Sequence, residues 1–75
     1  MRLAWVEAGR RYRVARVAPG MEGEARRAGI VVGETVLVVS TLSGGPIGIE
    51  SPEGRREVGA QLANRIDVSP VDDES

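Results

Sequence analysis

The sequence predicts a single, mostly β domain made of five short strands. Charged and apolar residues alternate over residues 12–17, which is the period of a strand with one buried face. Residues 35–40 are almost all apolar and rich in β-branched side chains, which is typical of a central strand. Glycine and proline separate the remaining apolar runs at short intervals. A chain of 75 residues is long enough for one domain with a thin core.

The first predicted strand runs from Tyr12 to Val17. Its period of two directs Tyr12 and Val14 inward, and a twist of the strand brings Val17 to the same side. Pro19 and Gly20 end the strand, because neither continues a regular ladder easily.

A short helix is predicted over residues 22–28. Met21, Ala25 and Ala28 are spaced at i, i+4 and i+7, which forms one narrow apolar stripe. Glutamates lie near its N-terminal end and arginines near its C-terminal end, as the helix dipole favours. Gly29 is placed to end the helix in a left-handed conformation. A helix of two turns is unstable in water, so this one must dock on the sheet.

The next two predicted strands form a hairpin. After the central strand and a loop at residues 41–45, Pro46 begins a strand in which Ile47 and Ile49 share one face. Residues 52–54, Pro-Glu-Gly, form a tight turn because proline presets φ and glycine supplies a positive φ. The returning strand covers residues 55–58.

One helical turn at residues 59–64 and a last strand at residues 66–69 complete the predicted domain, residues 1–69. Residues 70–75 are polar and acidic, and we expect a flexible tail there. Five short strands protect their edges best by curling into a small barrel. We therefore expect an SH3-like barrel with one short helix after the first strand and a helical turn before the last. A five-stranded OB barrel is the alternative.

Composition argues against several classes of function. The chain has no histidine and no cysteine, so the commonest general base and the usual zinc, copper and haem ligands are missing. We expect no enzyme activity, no cofactor and no metal site. The net charge of -1 disfavours a phosphate-binding surface. No signal peptide or membrane-spanning run is recognisable, so a soluble cytoplasmic protein is expected.

Few side chains suggest a binding role. Leu42 is an apolar residue at the tip of a glycine-rich loop, where packing alone gives little reason for it. Trp5 is one of two aromatic residues, and we expect it to pack over one end of the barrel; the alternative is a binding anchor, since tryptophan is enriched at interface hot spots. Arg26 and Arg27 could contact an acidic partner or anionic lipid, although exposed charges are individually worth little. Ser51 and Thr41 have no acid–base partner, so a nucleophile is not expected.

Three segments share their order and spacing with a known family. Residues 24–36 contain an arginine-bearing helix, a glycine-centred turn and a glycine before the long strand. Residues 42–47 contain a Gly-Gly-Pro loop. In residues 58–68, Ala63, Ile66 and Val68 form the pattern of alanine, isoleucine and valine with which the domain ends. In these segments the chain resembles FeoA, the small cytoplasmic protein of the bacterial ferrous iron transport system. The resemblance covers about residues 5–68.

The family resemblance has departures and implications. Ala25 and Ala28 stand where the family usually has leucines, and Val32 where proline is usual, which makes the helix contact smaller. The resemblance implies an SH3-like barrel and a partner, the FeoB transporter, a membrane protein with a cytoplasmic GTP-binding domain. The same module occurs at the C-terminus of DtxR-like iron-dependent repressors as an interaction domain. The resemblance implies no catalytic residues.

We therefore expect an accessory protein of ferrous iron uptake that modulates the assembly or gating of its transporter and binds neither iron nor nucleotide tightly. The candidate partner-binding residues are Met21, Arg26, Arg27, Leu42 and Ser43. One alternative is a stand-alone regulatory module that acts on a DtxR-like repressor or another protein. A less favoured alternative is a small nucleic-acid-binding barrel, which salt-dependent oligonucleotide binding would reveal. Open strand edges also permit weak self-association.

Overall fold

The structure is a computed structural model that describes residues 1–71. A 3₁₀ helix at Leu3–Trp5 precedes the first strand. The further elements, in chain order, are β1 (Arg11–Val17), α1 (Glu22–Arg27), β2 (Thr35–Thr41), β3 (Ile47–Ser51), β4 (Gly54–Val58), α2 (Ala60–Ala63) and β5 (Ile66–Pro70). The predicted order of strands and helices is confirmed, and the 3₁₀ helix is an addition that the sequence patterns did not predict.

The five strands form one antiparallel sheet in the order β4-β3-β2-β1-β5. The apolar strand β2 lies in the middle of this order, as predicted. Register shifts between Val14 and Arg16 and between Val38 and Ser40 mark irregularities of the bulge type, which bend strands and increase their twist. Within residues 1–71, β4 and β5 do not pair, so the sheet remains open where a closed barrel was expected. The mostly β, SH3-like fold itself is confirmed.

The core of residues 1–71 contains only apolar side chains and Tyr12. The predicted inward residues of β1, β3 and β5 are buried, whereas Val17 is only half-buried. The full set of buried hydrophobic residues is Leu3, Val6, Tyr12, Val14, Ala25, Ile30, Val36, Val38, Ile47, Ile49, Val58, Ala63, Ile66 and Val68. The helices α1 and α2 contribute one small side chain each, so most of the core comes from the strands.

Helix α1 docks through Ala25, while Met21 and Ala28 are half-buried beside it. Its C-terminus has the hydrogen bonds of a Schellman motif: the Gly29 N–H donates to the Arg26 carbonyl at 3.0 Å, and the Ile30 N–H to the Ala25 carbonyl at 2.8 Å. Gly29 has φ +79°, the left-handed conformation that this motif requires. The predicted role of Gly29 is confirmed.

Gly29 also lies against a neighbouring strand, which makes it a sensitive position. A Cβ atom on Gly29 would lie 3.1 Å from the Arg56 Cγ, whereas one on Gly20, at φ +88°, would contact nothing within 4 Å. Gly20→Ala is expected to lower the free energy of unfolding by about 1–2 kcal/mol, from backbone strain alone. Gly29→Ala should cost measurably more in urea unfolding, because the Arg56 stem must also move. Equal losses for the two variants would contradict this contact.

Both ends of the described chain are tied to the sheet. The Val68 N–H donates to the Met1 carbonyl at 2.7 Å, and the Met1 ammonium donates to the Val68 carbonyl at 3.0 Å. Pro70 belongs to β5 opposite Tyr12, and the Val71 N–H donates to the Arg11 carbonyl at 3.0 Å. Hydrogen bonding thus continues two residues past the boundary that was predicted at residue 69. The rest of the predicted tail, residues 72–75, lies outside the described residues.

Candidate partner-binding surface

The position of Trp5 differs from the prediction. Its side chain is 62% exposed, whereas the neighbouring Leu3 of the same 3₁₀ helix is fully buried. The prediction that Trp5 packs over the end of the barrel is therefore wrong, because the short helix turns Leu3 inward instead. The guanidinium carbon of Arg2 lies 5.3 Å from the centroid of the Trp5 ring, within the range of a cation–π contact. A guanidinium therefore lies over one face of the exposed indole.

Leu42 lies at the surface on the loop between β2 and β3, as predicted, and is 64% exposed. The loop turns where the Gly45 N–H donates to the Leu42 carbonyl at 2.7 Å, with Gly44 at φ +70°. A Cβ atom on Gly45 would lie 2.9 Å from the Leu42 Cδ2. The absence of a side chain at Gly45 therefore allows Leu42 to rest on the loop backbone while its outer side faces solvent.

Trp5 and Leu42 flank one hollow, which we call the Trp5–Leu42 hollow. It has a volume of about 450 Å³. Its lining comes from the 3₁₀ helix and the residue after it, the end of β2, the β2–β3 loop, β3, and α2 with the residue after it. It consists of Ala4, Trp5, Val6, Thr41, Leu42, Ser43, Gly44, Gly45, Ile47, Ala60 and Asn64. None of these side chains is charged. The hollow is thus uncharged, and apolar and neutral polar groups contribute to its surface in similar shares.

A second hollow, the α1 hollow, lies between α1, the end of β4 and α2, and has a volume of about 420 Å³. Its apolar lining comes from Met21, Ala28 and Leu62, and its charged lining from both helix and strand. The complete lining is Met21, Glu24, Arg27, Ala28, Glu57, Gly59, Gln61 and Leu62. Carboxylates and a guanidinium therefore surround this hollow, unlike the Trp5–Leu42 hollow.

The structure places four of the five predicted partner-binding residues in these hollows. Met21 and Arg27 line the α1 hollow, Leu42 and Ser43 line the Trp5–Leu42 hollow, and Arg26 is exposed and lines neither. Helix α2 provides walls to both hollows. The sequence patterns missed the part played by α2, since a short helical turn gives no periodic signal of the face it presents. For Trp5 they offered a binding anchor only as the alternative to packing.

The charged groups of residues 1–71 lie outside the Trp5–Leu42 hollow. Arg10 and Glu7 form an exposed ion pair at 3.9 Å, and Arg55 and Glu50 another at 3.7 Å. Such exposed pairs contribute little to stability. Across the same residues, no group of three or more histidine, cysteine, aspartate or glutamate side chains is arranged to hold a metal ion. The Trp5–Leu42 hollow therefore offers contact with apolar and neutral polar groups, and the α1 hollow adds charged ones.

A comparison with models of known protein families shows to which family this chain belongs. The model of the FeoA domain matches residues 1–70. The chain belongs to the FeoA domain family. Membership of the FeoA family implies a role in a ferrous iron transport system. No curated protein sequence matches the chain.

Solved structures agree with the FeoA assignment. A crystal structure of an iron uptake regulatory protein, FeoA, superposes with a TM-score of 0.88 at 25% identity, and the match covers 95% of this chain and 97% of that one. A FeoA-like protein from Clostridium acetobutylicum gives a TM-score of 0.83 at 19% identity over 100% of this chain and 91% of that one. The second likeness, at its lower identity, shows the fold alone.

A third solved structure places the FeoA fold within a larger protein. A manganese-dependent transcriptional repressor gives a TM-score of 0.83 at 21% identity, covering 95% of this chain but only 41% of the repressor. The match shows that the same fold occurs as one part of a longer chain.

Among residues 1–71 of this FeoA domain, none of the helices has the length and apolar composition needed to span a bilayer.

Proposed function

We propose that this FeoA-family protein is an accessory protein of ferrous iron uptake that binds the cytoplasmic part of a FeoB-type transporter and modulates its assembly or gating. It acts in the cytoplasm by contact and catalyses no reaction. The observation that carries the proposal is that two large, exposed apolar side chains, Trp5 and Leu42, flank one uncharged hollow.

Physical chemistry supports a binding role for this pair. An exposed indole and an exposed leucine beside the same hollow leave apolar area in contact with water, and covering that area is favourable. Tryptophan is enriched among the few residues that dominate binding energy at interfaces. Ser43 and Asn64 of the same lining supply hydroxyl and amide groups, the neutral polar contacts that interfaces combine with apolar ones. An apolar side chain of the transporter, presented on a loop or a helix, fits this arrangement.

The test is a titration with the cytoplasmic domain of the transporter from the same organism, followed by Trp5 fluorescence and by calorimetry. Leu42→Asp is expected to weaken binding at least about tenfold, because it places a charge in an apolar contact. Val32→Asp is the matched control, since Val32 is 57% exposed but lines neither hollow. Equal binding by both variants would count against the Trp5–Leu42 hollow.

Two further outcomes of the titration are informative. If Arg27→Glu loses binding and Leu42→Asp binds with unchanged affinity, the contact lies at the α1 hollow and not at the Trp5–Leu42 hollow. No heat and no fluorescence change for the unaltered protein would mean that the isolated cytoplasmic domain is not a partner. The intact transporter in detergent or nanodiscs is then the second reagent, and failure there as well overturns the proposed function.

A second candidate function is a stand-alone regulatory module that acts on an iron-dependent, DtxR-like repressor. It is favoured by the structural match to part of a manganese-dependent transcriptional repressor. The same titration, with the repressor in place of the transporter domain, distinguishes the two candidates. Saturable binding to the repressor alone would favour the regulatory module.

A further inference from the structure

The two edge strands of the sheet, β5 and β4, differ in whether their outer backbone groups are already hydrogen-bonded. The edge of β5 is occupied, because Val68 exchanges two backbone hydrogen bonds with Met1 and Pro70 has no N–H to offer. Strand β4 is the last strand on the other side, and no strand of residues 1–71 lies beyond it. Gly54–Glu57 are exposed, and only Val58 is buried. An uncovered edge of this kind is a template for a further strand.

The register between β3 and β4 decides which backbone groups of β4 are free. Ser51 and Gly54 close a two-residue turn as a hydrogen-bonded pair, so Arg56 and then Val58 also form hydrogen-bonded pairs with β3. Arg55 and Glu57 alternate with these residues, and their N–H and C=O groups therefore point away from β3. In agreement, the Arg55 carbonyl accepts a 3.0 Å hydrogen bond from the Arg56 side chain.

The charges on this edge are incompletely matched within the chain. Arg55 lies opposite Glu50 of β3, and their side chains form an ion pair at 3.7 Å. Glu57 lies opposite Gly48, which offers no side chain, and it forms no ion pair within residues 1–71. Arg55 and Glu57 are two residues apart, so they lie on the same face of the sheet. On this face the edge thus presents one cation and one unmatched anion in a fixed spacing, while Arg56 lies on the opposite face.

We propose that β4 pairs with β4 of a second copy of this chain, antiparallel about a two-fold axis at Arg56. This register sets Arg55 opposite the partner's Glu57, and Glu57 opposite the partner's Arg55. Both pairs exchange backbone hydrogen bonds, and each Arg55 then lies between two carboxylates, its own Glu50 and the partner's Glu57. The pattern is self-complementary, as an interface with two-fold symmetry requires. This inference does not depend on the proposed function.

Arg56 limits the strength of this contact. At the two-fold axis the two Arg56 residues are direct cross-strand neighbours, and like charges in that position are destabilising. Its guanidinium also occupies the Arg55 carbonyl that the partner's Glu57 N–H would take. The contact is therefore weak, and Arg56→Ala is expected to strengthen it at least threefold. The same charges oppose pairing with strands that lack the matching pattern.

The test measures self-association of the full chain by sedimentation velocity and by concentration-dependent amide shifts, up to about 1 mM, the range of weak contacts. The expected result is a dimer whose shifts concentrate at residues 55–57. Arg55→Glu and Glu57→Arg should each remove the dimer, since each sets like charges opposite one another. Circular dichroism serves as the control for folding, because both side chains are exposed.

Mixing the two single variants is the decisive experiment. The Arg55→Glu chain carries two carboxylates on the edge and the Glu57→Arg chain carries two guanidinium groups, so the mixture is expected to form a heterodimer. A wild-type chain that stays monomeric at about 1 mM overturns the proposal and leaves the edge to a strand of another protein. A dimer that survives both reversals, or a mixture that stays monomeric, overturns it as well.

Discussion

Replacement of Tyr12 by alanine is expected to remove much of the stability of this protein. Tyr12 is 1% exposed and is the largest of the fully buried side chains. Truncation of a buried aromatic ring costs about 3–5 kcal/mol, from lost burial and from the cavity that remains. A domain of this length has a free energy of unfolding of roughly 4–11 kcal/mol. Urea denaturation monitored by circular dichroism measures the loss directly.

The control for this prediction is Tyr12→Phe, which keeps the ring. The hydroxyl of Tyr12 accepts a 3.1 Å hydrogen bond from the Glu7 N–H, and its loss is expected to cost about 0.5–1.5 kcal/mol. Tyr12→Ala should therefore be clearly the more damaging of the two. Similar losses for both variants would mean that the hydrogen bond to the chain before β1, and not the ring, holds this end of the core together.

In contrast to the Tyr12 variant, replacement of Trp5 by alanine is expected to leave the fold intact and to remove partner binding. Trp5 is 62% exposed, so its truncation should lower the free energy of unfolding by less than about 1 kcal/mol, including the contact with Arg2. At an interface centre, loss of a tryptophan costs about 2 kcal/mol or more, which is roughly 30-fold in affinity.

Calorimetry with the FeoB-type cytoplasmic domain measures this effect, since the variant lacks the fluorescent reporter. Val32→Ala is the matched control, because it also truncates an exposed apolar side chain but lies outside both hollows. Unchanged affinity in Trp5→Ala would exclude the Trp5–Leu42 hollow as the centre of the contact. A loss of several kcal/mol in stability would mean instead that Trp5 supports the fold.

Local sequence patterns were sufficient for most of the secondary structure. The alternation around Val14 and the apolar, β-branched run of β2 each identified a strand, because successive side chains of a strand point to opposite faces and branched side chains pack well there. Pro52 and Gly54 identified the hairpin turn, and Gly29 identified the end of α1, because these backbone conformations restrict the residues that can adopt them.

Long-range packing accounts for what those patterns missed. Leu3 and Trp5 lie two residues apart, and which of them enters the core depends on the 3₁₀ helix and on the β5 edge that Met1 covers. The closed barrel was expected from the need to protect strand edges, yet the structure covers one edge with the N-terminal residues and leaves the edge of β4 open. Local periodicity contains no information about either choice.

The sequence by itself determined the class of fold, the order of its elements, the turn positions and, through three spaced segments, the family. Each of these depends on the conformational preferences of residues close in sequence. Only the tertiary structure decided that Trp5 faces solvent beside Leu42, that α2 provides walls to both hollows, and that Glu57 lies opposite a glycine. Those relations join residues that are distant in sequence, and the packing of the whole sheet sets them.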